Sequence, residues 1–295
     1  MGEKHCAQGQ TLLRTFTLGR SSSGAPEALI KMIEELPDLV ELSLQLPRGL
    51  PSLLSHLKNP LPRLRVLKLS GGYPSPEYDL DSTADNSLGS FFRQHPRLCE
   101  VSLSWHSYRS EIPLVDVALM LSLFPSVKCF SGPLWVCMGL VASQISTQLE
   151  ALNVKPAFPL DGDQPIDPIS RLAKVASPLP NLKTLAFEKF WPHGSVAQVN
   201  ETAVGKLLTA TPALTSLDMQ AFLGPWDRIS HPLKCVPRLT RLVVGLKYPS
   251  PFDARGIGFW EKVEMNWDSV QELRTELRKL YPNVKLIVRM QHQLN

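Results

Sequence analysis

Proline followed by apolar residues two, five and seven positions later is a phrase that recurs along this chain. It reads PDLVELSL from Pro37, PRLRVLKL from Pro62, PRLCEVSL from Pro96, PNLKTLAF from Pro180, PALTSLDM from Pro212 and PRLTRLVV from Pro237. Looser copies begin at Thr11 (TLLRTFTL), Pro125 (PSVKCFSG), Thr147 (TQLEALNV) and Pro282 (PNVKLIVR). The starts lie on average about 30 residues apart, a period that belongs to stacked repeat architectures. The last two apolar residues of each copy, two apart, point to one side of a short strand. The earlier one sits at the bend into that strand. Between copies, APEALIKMIEEL, LGSFFRQH, VDVALMLSLF, NETAVGKLLTA and SVQELRTELRKLY carry apolar residues at three- and four-residue spacing, which predicts helices. Asp116, Asp167, Asn200 and Asp268 mark expected helix starts. The proline ends each helix and holds its preceding residue extended.

Leu-x-x-Leu-x-Leu at this period resembles the core of a leucine-rich repeat. The implied fold is α/β: a curved, horseshoe-like solenoid of about ten irregular repeats, with parallel strands on the concave face and helices on the convex face. Each unit buries its leucines only against its neighbours. The expected organisation is a short tail over residues 1–10 and a repeat domain over 11–295, with a loop insertion near 246–267. Arg289, in an apolar place of the last copy, suits a terminal strand. Where many leucine-rich repeats carry an asparagine just past the strand, this chain has Pro47, Gly72, His106, Trp191 and Phe222.

Composition agrees with a folded chain. Of 295 residues 43% are hydrophobic and 20% charged, which separates it from disordered sequences. The net charge of +4 is scattered, with no continuous basic run of the kind that nucleic-acid binding uses. No apolar stretch approaches the roughly 20 residues that span a bilayer, and MGEKHCAQGQ lacks the apolar segment of a secretory signal. Five cysteines without a CxxC fit a reducing compartment and buried free thiols. Cytoplasm or nucleus is expected.

The residues between the strand leucines face the concave surface: among them Glu41 and Ser43, Lys68, Glu100 and Ser102, Asn153, Thr184, Asp218 and Arg241. Aromatics cluster past the strands, where Trp191 and Trp226, beside proline and glycine, are the best placed for contact. With Glu188, which follows the seventh strand, the protein-binding candidates are Glu41, Lys68, Glu100, Ser102, Thr184, Glu188, Trp191, Asp218, Trp226 and Arg241. No catalytic signature appears: there is no HExxH, GxSxG or phosphate loop, and DGDQPID and DLDSTADN lack the distal glutamate of a calcium loop. No cofactor, metal or enzymatic activity is expected.

The LP-x-L-x-x-L-x-L phrase and the helix-then-proline rhythm, over about residues 11–290, resemble the leucine-rich-repeat domains of F-box proteins, the fungal members most. That resemblance implies a non-catalytic module that presents a substrate to a ubiquitin ligase through the Skp1 adaptor and a cullin. A monomer with protein partners, and with neither nucleic acid nor membrane as partner, is expected. No F-box is recognisable, since the first repeat begins by Leu13. A fragment, a repeat-only relative or a substrate-type adaptor that meets its partners differently is therefore expected. Two other readings stand beside it. One is a repeat scaffold outside ubiquitin chemistry, of the GTPase-regulating or immune-sensor kind. The other is a hydrolase with a dispersed site that depends on His106 or Asp218.

Overall fold

The computed structural model describes residues 14–18, 26–45, 54, 57, 59–71, 80, 88–104, 116–155, 167–188, 200–219, 229–247 and 259–291. Each copy of the phrase becomes one strand. In chain order these are β1 (Thr15–Leu18), β2 (Glu41–Gln45), β3 (Val66–Ser70), β4 (Glu100–Ser104), β5 (Cys129–Pro133), β6 (Ala151–Lys155), β7 (Thr184–Phe187), β8 (Ser216–Met219), β9 (Arg241–Lys247) and β10 (Lys285–Gln291). They form a single sheet in sequential order, with every pair parallel. Parallel neighbours need a crossover in each unit. Described helices supply eight of the nine, all but that between β2 and β3: α1 (Pro26–Glu34), α2 (Leu88–Gln94), α3 (Val117–Leu123), α4 (Leu134–Ala142), α5 (Pro168–Val175), α6 (Glu201–Thr209), α7 (Ser230–Leu233) and α8 (Phe259–Leu280). This is the leucine-rich-repeat solenoid, helices on one face of the sheet.

The proline has a specific task. The amide of the first apolar residue of the phrase donates to the carbonyl three residues back, as in Leu39 to Leu36, Leu98 to His95, Leu182 to Leu179 and Leu239 to Val236. That is a β-turn with proline at its second position, where its fixed φ is already correct. The next two amides then share one carbonyl of the preceding unit. Arg65 and Val66 both donate to Val40, Cys99 and Glu100 both to Arg65, and Lys183 and Thr184 both to Glu150. Thr215 and Thr240 add hydroxyl bonds of 3.0 Å to the same carbonyl ladder. Register is thereby fixed unit by unit. Leu42, Leu67, Val101, Phe130, Leu152, Leu185, Leu217 and Leu242 align as one buried row under the helices.

Helix starts follow the sequence at three of the four expected places. Asp116 accepts from the amides of Ala118 and Leu119, Asp167 from those of Ile169 and Ser170, and Asn200 from that of Ala203. Asp268 is a correction: it lies inside α8, which begins at Phe259. Phe259, Val263 and Trp267 extend upstream, at four-residue spacing, the pattern of Val270, Leu273 and Leu277, and that periodicity outweighs a capping residue. With β9 running to Lys247, both ends of the expected 246–267 loop belong to regular structure. The last copy is corrected too. Its turn is one residue shorter, so Leu286 and Val288 pair with Leu242 and Val244, and Arg289 stands beside Gly245 in the outward row. A slip of one residue exchanges the two faces of a strand.

The helix α4 was not evident from periodicity. LWVCMGLVA is apolar on every side, and seven of its nine residues are buried. It starts directly after β5, where Gly132 takes the place of a leucine. A Cβ there would come within 2.7 Å of the Phe130 ring.

Candidate functional site

The alternate residues of each strand form the second face of the sheet, where burial along β2, β3 and β4 alternates between half-buried and buried. Register brings the outward residues into rows across the strands. One row runs Glu41, Val66, Glu100, Cys129, Ala151, Thr184, Ser216, Arg241. The next runs Ser43, Lys68, Ser102, Ser131, Asn153, Ala186, Asp218, Val243. Ten strands about 4.8 Å apart give a face roughly 40 Å long.

Three polar groups punctuate it. Near the start, Lys68 Nζ lies 2.8 Å from Glu41 and 3.5 Å from Glu100, so one ammonium spans three strands. The hydrogen bond to Glu41 raises the Lys68 pKa above its ordinary value, against the opposing effect of burial. Near the end, Arg241 donates to Ser216 Oγ at 3.1 Å and lies 3.9 Å from the Asp218 carboxylate. Asp218 is itself buried. Of the remaining candidates, Ser102 and Thr184 are half-buried members of the face.

The third group lies at the centre. Asn153 donates to Ser131 Oγ at 3.0 Å and to Glu188 Oε1 at 2.7 Å. Lys155, its side chain only 10% exposed, hydrogen-bonds Ser104 and lies 3.5 Å from Glu188. Both hydrogens of the Asn153 amide are used, while its buried Oδ1 has no partner, a deficit worth about 1–3 kcal/mol. The group joins β4, β5, β6 and the residue after β7. Sequence reasoning found Asn153 and Glu188 but missed Lys155. The available signal was its position two residues past Asn153, on the same side of the strand.

Trp191 and Trp226, with His106 and the other residues that stand in place of the asparagine ladder, lie outside the described residues. Trp135 is half-buried and packs against the core. Of the four described cysteines, all free, only Cys137 is buried, and burial pushes its thiol pKa up. Cys99 and Cys129 are half-buried and Cys235 is exposed, which corrects the expectation of buried thiols. The outward face of the strands puts Cys129 there, and burial raises its pKa as well. Among the described residues no three His, Cys, Asp or Glu side chains gather as a metal would require. No helix among them is long and apolar enough to cross a membrane.

No protein-family model and no curated protein matches this chain. Among solved structures it is similar to a chain in the crystal structure of the Rad7 and Elc1 complex in yeast. The match covers 90% of this chain and 75% of that one, at 16% identity and a TM-score of 0.37. So loose a likeness carries no argument about function, and the fold stands on this chain's own strand order and register.

Proposed function

We propose that this protein is a recognition module that binds another protein on its strand face, as the substrate-binding repeat domain of an F-box-like ubiquitin-ligase component. One observation carries the first part. The ten-stranded sheet is covered by helices on one face, and no described helix packs on the other. Strands of about five residues and 40 Å of width give that face on the order of 600 Å², close to the roughly 800 Å² each partner buries in a stable complex. Lys68, Arg241 and the Lys155–Glu188 pair are charged groups already held in place, so a partner meets side chains whose ordering cost has been met within the fold. The ligase assignment rests on the repeat phrase and its resemblance to F-box leucine-rich-repeat domains. Ubiquitin transfer falls to other subunits, and this chain contributes position.

The test is affinity capture of the tagged chain, and of a Lys68→Ala/Arg241→Ala variant, from proteasome-inhibited lysate. Skp1 and cullin subunits, together with one further protein lost from the variant, are the expected catch. That further protein captured equally by both would overturn the strand face as its site. A partner captured without Skp1 or cullin would overturn the ligase role and leave a recognition scaffold.

A further inference from the structure

All the strands run parallel in sequential order and each is entered from its turn, so the described turns lie along one edge of the sheet. From the last turn of each described helix to the residue before each strand, the described residues of that edge include fourteen lysines and arginines, all exposed, against Glu34, Glu35, Asp38 and Glu150. These described residues carry a net charge of +10, in a chain whose total is +4. Part of this is helix chemistry. Lys31, Arg93, Lys174 and Lys206 occupy last helical turns, where a cation complements the carbonyl end.

That explanation does not extend to Arg63, Arg65, Arg97, Lys128, Lys183 and Arg238. They stand on turns or at strand starts, where the fold requires only an exposed side chain. Arg63 pairs with Asp38 at 3.0 Å, and Lys128 and Lys183 share Glu150 at 3.2 and 2.8 Å. Arg65 donates to the Arg97 carbonyl at 3.3 Å. Among the described residues, Arg65, Arg97 and Arg238 have no carboxylate partner. Arg65 and Arg97, on adjacent units and without a carboxylate partner among the described residues, can fork onto carboxylates and anchor the patch.

We propose that this turn edge, running from Arg65 and Arg97 to Lys183, is a second interaction surface that takes an acidic polypeptide segment of a partner protein. The edge from β3 to β7 spans four strand spacings, about 19 Å. An extended peptide sets alternate carboxylates about 7 Å apart and can pair with the arginines while avoiding Glu150. Nucleic acid fits less well. Glu150 interrupts the row against a continuous phosphate backbone, and no described exposed aromatic on the edge offers the stacking platform that single strands use. This surface is separate from the strand face and does not depend on the reading given to it.

The test uses the full chain and a fluorescein-labelled polyglutamate peptide, with duplex DNA of equal charge as competitor. An Arg65→Glu/Arg97→Glu variant is compared with Arg171→Glu/Arg274→Glu, which changes net charge equally away from the edge at exposed positions. Thermal melts check that both fold. The expected result is peptide binding that weakens about tenfold in the edge variant and less than twofold in the control. Equal weakening in both, absence of peptide binding, or tighter binding of the DNA would each overturn the proposal.

Discussion

In the fifth unit, Cys129–Pro133 runs straight into a helix buried on nearly all sides, and the next copy of the phrase begins 22 residues after the last. In the last unit the helix Phe259–Leu280 is 22 residues long, and Val270, Leu273 and Leu277 are its buried positions among the described side chains. The turn and strand are common to both. What differs is how many neighbours the helix has. The helix α4 packs between α3 and α5, whereas α8 packs against α7 and β9. A helix flanked on both sides tolerates apolar residues all round; one flanked on a single side must keep a polar stripe. The phrase therefore specifies the sheet, and the position in the array specifies the filling.

Truncation in the two helices should separate them most. Leu140→Ala, at a fully buried site in α4, should cost about 4 kcal/mol, because the cavity weakens the interfaces to both neighbouring units. Leu277→Ala in α8 should cost about 2 kcal/mol. Urea unfolding of the two variants checks this, and equal losses would break the comparison.

Two glycines sharpen it with opposite signs. Gly132→Ala forces a methyl into the Phe130 ring and should destabilise by about 1–3 kcal/mol. Gly205→Ala, in α6 with open space around the added methyl, should stabilise by about 0.5–1 kcal/mol through helix propensity. Melting temperatures moving in the same direction would show that the fifth unit is no tighter than its neighbours.

The smallest expected effect concerns His95, which ties α2 to the third unit. Its Nε2 accepts from the Leu61 amide at 2.9 Å, its Nδ1 lies 2.7 Å from the Phe91 carbonyl, and its ring stacks on Phe91 at 4.1 Å. Burial lowers its pKa below the ordinary 6.5. The unfolded chain then takes up the proton first, so stability is full above about pH 6.5 and declines as pH falls towards the folded value. The slope is at most about 1.4 kcal/mol per pH unit. His95→Gln, which keeps an acceptor for Leu61 and does not titrate, should flatten denaturant midpoints between pH 7 and 5. An unchanged slope would assign the titration elsewhere.

Much of the fold is legible in the sequence. All ten phrases became strands in order, since a period-two pattern inside a period near 30 admits few other packings. The failures have local causes. LWVCMGLVA hid a helix because a segment buried on every side has no amphipathic period to read. Asp268 misled because a capping residue says nothing of a helix that began nine residues earlier. Arg289 misled because one missing turn residue shifts the alternation. The candidate face was half legible. Strand phase placed Glu41, Lys68, Glu100, Asn153 and Arg241 on the outward side, but could not show that Lys68 joins two glutamates or that Lys155 is almost wholly buried.

What the sequence determined by itself is what repeats within one unit: turn, strand, inward leucines and outward polar positions. These depend on proline geometry and on alternation along a few residues. Only the tertiary structure decided what depends on neighbours, because contacts between residues more than 20 apart in the chain arise from stacking. The Asn153, Lys155 and Glu188 group is one such result. The basic edge is another: its cations are scattered in sequence and gathered because every unit turns at the same place.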